Sequence, residues 1–148
     1  MSKPDTYSDQ YLVWQTDNEM YCAGVKYCME VQKGIEIVEV PRAKNFISGI
    51  ASLRGEIVTV LDLPSLLGRE KDSYLMDATI IRFRLSQKSI AIKANIITEV
   101  INISESDLKN SSGYLGTKEQ TLISKVAYSE LGLLLVLDVE KLFSIHLQ

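Results

Sequence analysis

Few side chains in this chain can do chemistry, and their spacing suits little of it. The single histidine, His146, stands near the C-terminal end. A histidine zinc site, a Cys–His dyad or a Ser–His–Asp triad would all have to use that one residue, which is read as a solvated tail side chain. Cys22 and Cys28 do not form a CxxC redox or zinc motif and are read as reduced thiols packed in the core. Asp62 and Asp138 each follow an apolar run, where a phospho-accepting aspartate would stand. The early acidic pair and the long alternating helices of a receiver are missing. Each aspartate instead opens a helix-start pattern, Asp62 with Pro64 behind it and Gly68 past the end, so both are read as N-caps. Neither GxxxxGK[ST] nor GxGxxG occurs, and nothing singles out a catalytic carboxylate pair. The expectation is no enzyme, no cofactor and no metal. What remains is Arg54-Gly55, a planar fork of N–H donors beside a residue without a side chain. That combination serves recognition rather than reaction, although an ordinary surface arginine before a turn glycine has the same sequence.

The elements that would position Arg54 are mostly short strands. Tyr11–Gln15 and Met20–Gly24 flank a turn at Asp17-Asn18. Between Lys26 and Val31 a helical turn and a continued strand both fit. Ile35 to Val40 alternates apolar and charged residues, which predicts a half-buried strand stopped by Pro41. Ile57–Leu61 and Ile96–Ile103 read as strands, and Thr79–Leu85 with Ser89–Ile92 as a hairpin. Asp107–Lys118 is polar and reads as the longest loop, and Leu133–Leu137 as a strand buried on both faces. With 148 residues the chain is long enough for one domain or two small lobes, and 46% apolar against 24% charged residues is an ordinary globular balance. A net charge of −3 argues against nucleic-acid binding. No apolar run approaches the ~20 residues of a membrane span, and the polar start MSKPDTYSDQ lacks a signal-peptide core. A cytoplasmic protein with no membrane insertion is expected.

An internal repeat organises these strands. Without a gap, Phe46–Leu67 aligns with Leu122–Phe143 at seven identical positions of twenty-two, among them Ser48/Ser124, Ala51/Ala127 and Asp62/Asp138. Upstream, Ala23–Val31 fits Ile92–Val100 more loosely, sharing Glu30/Glu99 and Val31/Val100. Two matches in one order predict two similar β-rich lobes, each too small for a sandwich and better closed as a barrel. The boundary is placed near 76–92, after a polar tail at 1–8, with the N-terminal strand open to membership of the second lobe. At the centre of the repeat, Ser52-Leu53-Arg54-Gly55 is answered by Tyr128-Ser129-Glu130-Leu131. The scaffold accepts either set, so the fold does not demand Arg54.

The stretch from Pro41 to Leu63, PRAKNFISGIASLRGEIVTVLDL, resembles the signature of the CheW family of bacterial chemotaxis adaptors, approximately VPxxPxFIxGxxNLRGxIxPVxDL. The resemblance runs from about residue 9 to the C-terminus, and Ile123 to Leu142 is similar to the family's closing segment. It implies a mostly β fold of two SH3-like five-stranded barrels with a few short helices. It implies a non-enzymatic adaptor that couples the cytoplasmic tips of chemoreceptors to the histidine kinase CheA, through the kinase's regulatory domain. A monomer when free, recruited to receptor arrays at the membrane, is the corresponding expectation. The resemblance places Arg54, Gly49, Leu53 and Gly55 near the partner-contacting surface, and Val31 with the residues just after it in a second contact region. The chain departs from the pattern at Lys44, Ser52, Thr59, Asn95 and Lys125. Lys33 lies where some members carry an acidic contact residue. A reversed charge there would alter partner choice, since like charges penalise the wrong partner. The alternatives are a scaffold in a non-chemotactic kinase pathway, a receptor-only paralogue and, less favoured, a receiver-like regulator.

Overall fold

The structure, a computed structural model, describes residues 9–146, so the expected tail at 1–8 lies outside the described residues. Strands dominate because β-branched and aromatic residues recur at period two between turn residues. β1 (Gln10–Thr16) and β2 (Glu19–Gly24) form the first hairpin, and a 3-10 turn at Val25–Tyr27 leads into β3 (Cys28–Ile35). The Lys26–Val31 stretch therefore holds both of its possible forms in succession. β4 (Ile47–Leu53) and β5 (Glu56–Leu61) make a second hairpin, followed by helix α1 (Leu63–Leu66), and β6 (Ala78–Leu85) and β7 (Lys88–Ala94) make a third. β8 (Ile96–Asn102), β9 (Lys109–Asn110), helix α2 (Thr117–Gln120), β10 (Lys125–Ser129), β11 (Gly132–Val136) and helix α3 (Val139–His146) complete the chain.

The expected strand over Ile35–Val40 is corrected. β3 stops at Ile35 because Gly34 turns the backbone to φ +69, and beyond it only Val38 bridges to the sheet, opposite Ile50. The alternation survives as burial without a ladder, with Ile37 3% exposed. The polar stretch read as one loop contains β9 and a 3-10 turn at Ser111–Gly113. β11 is less enclosed than predicted, with Leu134 and Leu135 buried and Leu133 half-buried.

Contacts divide the chain into two units. One holds Met29–Asn95; the other holds the chain up to Cys28 and again from Ile96. The first contains a curled five-stranded sheet in the order β3-β6-β7-β5-β4, around Ile37, Leu53, Val58, Val60 and Ile80. The second contains a curled sheet in the order β8-β1-β2-β11-β10-β9, around Val13, Cys22, Ile103, Ala127 and Leu134. The orders correspond strand for strand, β9 being an addition. In each unit one pairing is parallel, β5 with β7 and β11 with β2. The chain changes unit at Asn95/Ile96, past the 76–92 stretch where the boundary was expected. The reason is that the β6–β7 hairpin, which begins the second repeat, pairs with strands of the first, while β1 and β2 pair with strands of the second. The mainly β architecture expected from the sequence is the one observed.

Both aspartates cap helices. Asp62 Oδ2 accepts from Ser65 N at 3.1 Å and from Ser65 Oγ at 2.5 Å, and Asp138 Oδ1 accepts from Lys141 N at 3.1 Å. Both cysteines are free thiols; Cys22 is buried and Cys28 only half-buried. His146 ends α3, and its side chain lies outside the described residues.

Candidate functional site

The β4–β5 hairpin closes through Arg54 and Gly55, between the paired residues Leu53 and Glu56. Both turn residues have positive φ, +51 at Arg54 and +80 at Gly55. Such a two-residue loop matches the right-handed twist of the flanking strands. Glycine adopts this backbone freely, whereas an arginine there costs about 1 kcal/mol. The result is a guanidinium lifted off the end of the sheet, with a side chain 74% exposed. The inward neighbour Leu53 is fully buried and anchors the hairpin in the core.

Arg54 is nevertheless tied down. Its Nε lies 2.7 Å from Oε2 of Glu30 on β3, a side chain only 7% exposed. The other oxygen of Glu30 accepts from Arg82 Nη1 at 3.3 Å and from Gln32 Nε2 at 3.2 Å. Arg82 is on β6, two residues beyond the core residue Ile80 and therefore on the same face of the strand. Its side chain is 3% exposed. Its Nε and Nη2 donate to Ser89 Oγ at 3.1 and 3.0 Å, and Nη2 lies 3.3 Å from Oε2 of Glu56. A buried cation and a buried carboxylate each need the other, since either alone would keep its desolvation cost without compensation. The cluster is two arginines and two glutamates, neutral in sum, with Arg54 at its solvent end.

The sequence-predicted site residues divide by burial. Arg54 and Gly55 are exposed, and a Cβ built at Gly55 meets nothing within 4 Å. Gly49 and Leu53 are buried: they shape the hairpin that carries Arg54. Gly49 lies at a register shift in β4, where φ is +153 and a Cβ would stand 2.2 Å from the carbonyl oxygen of Val38. Val31 and Lys33 are exposed on β3, alternating with Glu30 and Gln32. Period two therefore puts them on the opposite face of the strand from the carboxylate that holds Arg54. Ile57 is 68% exposed three residues after Arg54, and Met29 is 41% exposed beside Glu30 in the chain. Glu30, Glu56 and Arg82 were missed as site residues. An arginine inside the apolar run Ala78–Leu85 was the available signal, because a charge in a buried strand must find partners.

The corresponding turn of the other unit holds no such cation. Glu130 and Leu131 stand there, Ser129 Oγ accepts from Leu131 N at 3.0 Å, and Gly132 takes the positive φ of +97. Elsewhere two thiols and a phenol are shifted toward their neutral forms. Burial pushes the Cys22 and Cys28 thiols up to about 12, and burial followed by a hydrogen bond to Glu140 does the same for Tyr27. Thiols so shifted are poor nucleophiles. Among the described residues no cluster of histidine, cysteine and carboxylate side chains could hold a metal ion, and no helix is long and apolar enough to cross a membrane.

Residues 10–146 match the family model of the CheW-like domain. The chain is 21% identical over 140 residues to the chemotaxis protein CheW of Klebsiella aerogenes, covering 95% of this chain and 84% of that protein. It is 26% identical over 135 residues to the chemotaxis protein CheW of Thermotoga maritima, covering 90% and 86%. Its fold is similar to that of the scaffolding protein TtCheW from Thermoanaerobacter tengcongensis, with a TM-score of 0.76, 24% identity and 88% of each chain covered.

Proposed function

Because the chain belongs to the family of CheW-like domains, we propose that it is a non-enzymatic chemotaxis adaptor that couples chemoreceptor cytoplasmic tips to the regulatory domain of the histidine kinase CheA. The observation that carries this reading is Arg54. Its guanidinium stands at a hairpin tip, ion-paired through Nε with Glu30 and, among the described residues, with both Nη groups open. Such a fork binds a carboxylate or a pair of carbonyl oxygens with defined orientation. The exposed Ile57 and Met29 supply apolar area in the same unit, and aliphatic anchors of this kind supply affinity where a charged fork supplies direction. The adaptor works in the cytoplasm by binding alone, recruited to arrays through its partners. Contacts below roughly 1,200 Å², with micromolar affinity for each partner, suit a component whose avidity comes from assembly.

The experiment is a calorimetric titration of the purified chain with the regulatory domain of CheA and with a receptor-tip fragment, alongside Arg54→Glu. The wild-type chain is expected to bind saturably and the variant to lose binding while keeping its unfolding midpoint. Equal loss of stability and binding would make Arg54 a structural residue. Wild-type protein that is folded yet binds neither partner would overturn the coupling function and favour a scaffold for a different kinase.

A further inference from the structure

We propose that the end of the β6–β7 hairpin carries a separate binding site, a pocket that takes a carboxylate side chain of the docked protein partner. The identity of that partner rests on the adaptor function proposed above; affinity for a carboxylate is a property of the free chain. The pocket has a volume of about 220 Å³, and Met29, Glu56, Arg82, Arg84, Lys88 and Ser89 line it. One water takes ~30 Å³ in the liquid, so there is room for a carboxylate and the waters around it. The lining holds three cations and one carboxylate. That carboxylate, Glu56, is engaged by Arg82, whose Nη2 lies 3.3 Å from its Oε2. Arg84 and Lys88 are exposed, and among the described residues neither is paired with a carboxylate. On a chain of net charge −3 they leave an unbalanced positive spot. Ser89 is prepared as a donor. Its Oγ accepts from Nε and Nη2 of Arg82 at 3.1 and 3.0 Å. A hydroxyl oxygen has two lone pairs, so with both taken its O–H is left to donate. The Arg82 side chain is only 3% exposed and holds that hydroxyl from inside.

The fold does not require these charges, because the corresponding β1–β2 hairpin of the other unit lacks them. Both hairpins close through two residues, Asp17-Asn18 between the paired Thr16 and Glu19, and Ser86-Gln87 between Leu85 and Lys88. The first turn residue has the same backbone in each, with φ +54 at Asp17 and +55 at Ser86. In each, the side chain two residues earlier donates to its carbonyl: Gln15 Nε2 to Asp17 O at 2.9 Å, and Arg84 Nε to Ser86 O at 3.0 Å. A neutral amide serves the turn, so the charge and the Nη groups of Arg84 are surplus to it. Counting from the turns, Glu19 answers Lys88, Met20 answers Ser89 and Val13 answers Arg82. The donors of the pocket are thus confined to one unit. Their chemistry selects a carboxylate. Arg84 Nη, Lys88 Nζ and the Ser89 hydroxyl suit a planar monoanion. A phosphate dianion would set a second negative charge against Glu56. Met29, 41% exposed, offers apolar contact to the methylenes of an acidic side chain. The carboxylate belongs to a protein because Glu56 directly follows the Arg54–Gly55 turn, so the pocket borders the surface proposed for the partner.

The test uses the double variant Arg84→Gln/Lys88→Glu. It installs the residue types of Gln15 and Glu19, which the same turn already carries in the other unit, so the unfolding midpoint is expected to hold. In a calorimetric titration with the CheA regulatory domain, the variant should bind about tenfold more weakly than the wild-type chain. Its affinity should also fall less steeply as sodium chloride is raised. The second readout needs no partner. Nitrogen-15 NMR of the free chain follows the backbone amides of Arg84, Lys88 and Ser89 and the Arg84 Nε–H as sodium acetate replaces sodium chloride at constant ionic strength. Saturable shifts confined to the pocket are expected in the wild-type chain and not in the variant. Inorganic phosphate is the competing probe, and saturation by phosphate at lower concentration than by acetate overturns the carboxylate assignment. Acetate shifts that do not saturate, or that persist unchanged in the variant, overturn the site. So does a variant that binds the regulatory domain as tightly as the wild-type chain does. A saturable acetate response in a wild-type chain that binds no partner supports the site and instead removes the coupling function.

Discussion

Gly49→Ala separates a glycine that touches a partner from one that the fold requires. A Cβ there would lie 2.2 Å from the Val38 carbonyl oxygen, 2.8 Å from its carbon and 2.9 Å from Ile37 Cγ2. The first two are backbone atoms, so no rotamer change relieves them, and the third belongs to a side chain 3% exposed in the core. Relief takes a shift of roughly 1 Å between the Val38 segment and β4, starting from the usual limits of non-bonded contact. That shift opens the reciprocal hydrogen bonds of Val38 N to Ile50 O and Ile50 N to Val38 O, both 2.8 Å. Two net backbone bonds are worth about 2 kcal/mol. The φ of +153, a region kept almost wholly for glycine, adds about 1–3 kcal/mol. The expected loss is therefore about 3–5 kcal/mol, a large part of the stability of a domain this size. Urea unfolding followed by far-ultraviolet circular dichroism measures it, with the slope checked for a change in two-state behaviour. Gly55→Ala is the control. Its φ is +80 but its Cβ would meet nothing within 4 Å, so only about 1 kcal/mol of backbone strain is expected. A Gly49→Ala loss below about 1 kcal/mol, or losses equal in the two variants, refutes the reasoning. A Gly49→Ala protein that keeps its stability and loses partner binding would restore Gly49 as a contact.

Two further outcomes follow from local chemistry. Asp62→Ala removes the acceptor for Ser65 N and Oγ at the start of α1 and should lower stability by about 1 kcal/mol, read from the urea midpoint, with partner binding unchanged; a large loss of binding at constant stability would contradict the cap. Cys22 and Cys28 have ordinary thiol values of 9.0 that rise to about 12 on folding, and Tyr27 rises from 10.0 to about 12. Raised acids make the folded state the better proton binder above the unfolded values, so stability is fully present below about pH 9 and falls between there and about pH 12. Urea midpoints across that range should show the fall, and Cys22→Ala should make it shallower even though its absolute stability is lower; an unchanged slope would place the alkaline loss elsewhere.

Much of the secondary structure was legible because its causes are local. Period-two apolar runs marked the hairpins at 10–24 and 78–94, and Asp-x-Pro and Asp-Val-Glu marked the two capped helix starts. The Ile35–Val40 pattern misled for an equally local reason: alternation records which side chains are buried, and Ile37 is buried, but Gly34 turns the chain out of the ladder first. The burial of Gly49 and Leu53 was not legible, because a motif records which residues are required and not on which side of the strand they fall.

The sequence by itself showed that two β-rich halves repeat, singled out no catalytic or metal-binding constellation, and gave no scaffold requirement for Arg54. Composition, periodicity and internal comparison suffice for those conclusions. Only the tertiary structure decided that each unit takes its first hairpin from the other repeat, because strand pairing is set by hydrogen bonds between segments far apart in the chain. The same holds for the charged cluster around Glu30. Glu30, Arg54 and Arg82 are ordinary charged residues far apart in the chain until a curled sheet brings both arginines within 3.3 Å of Glu30, and the burial that makes the Glu30–Arg82 pairing obligatory exists only once that sheet has formed.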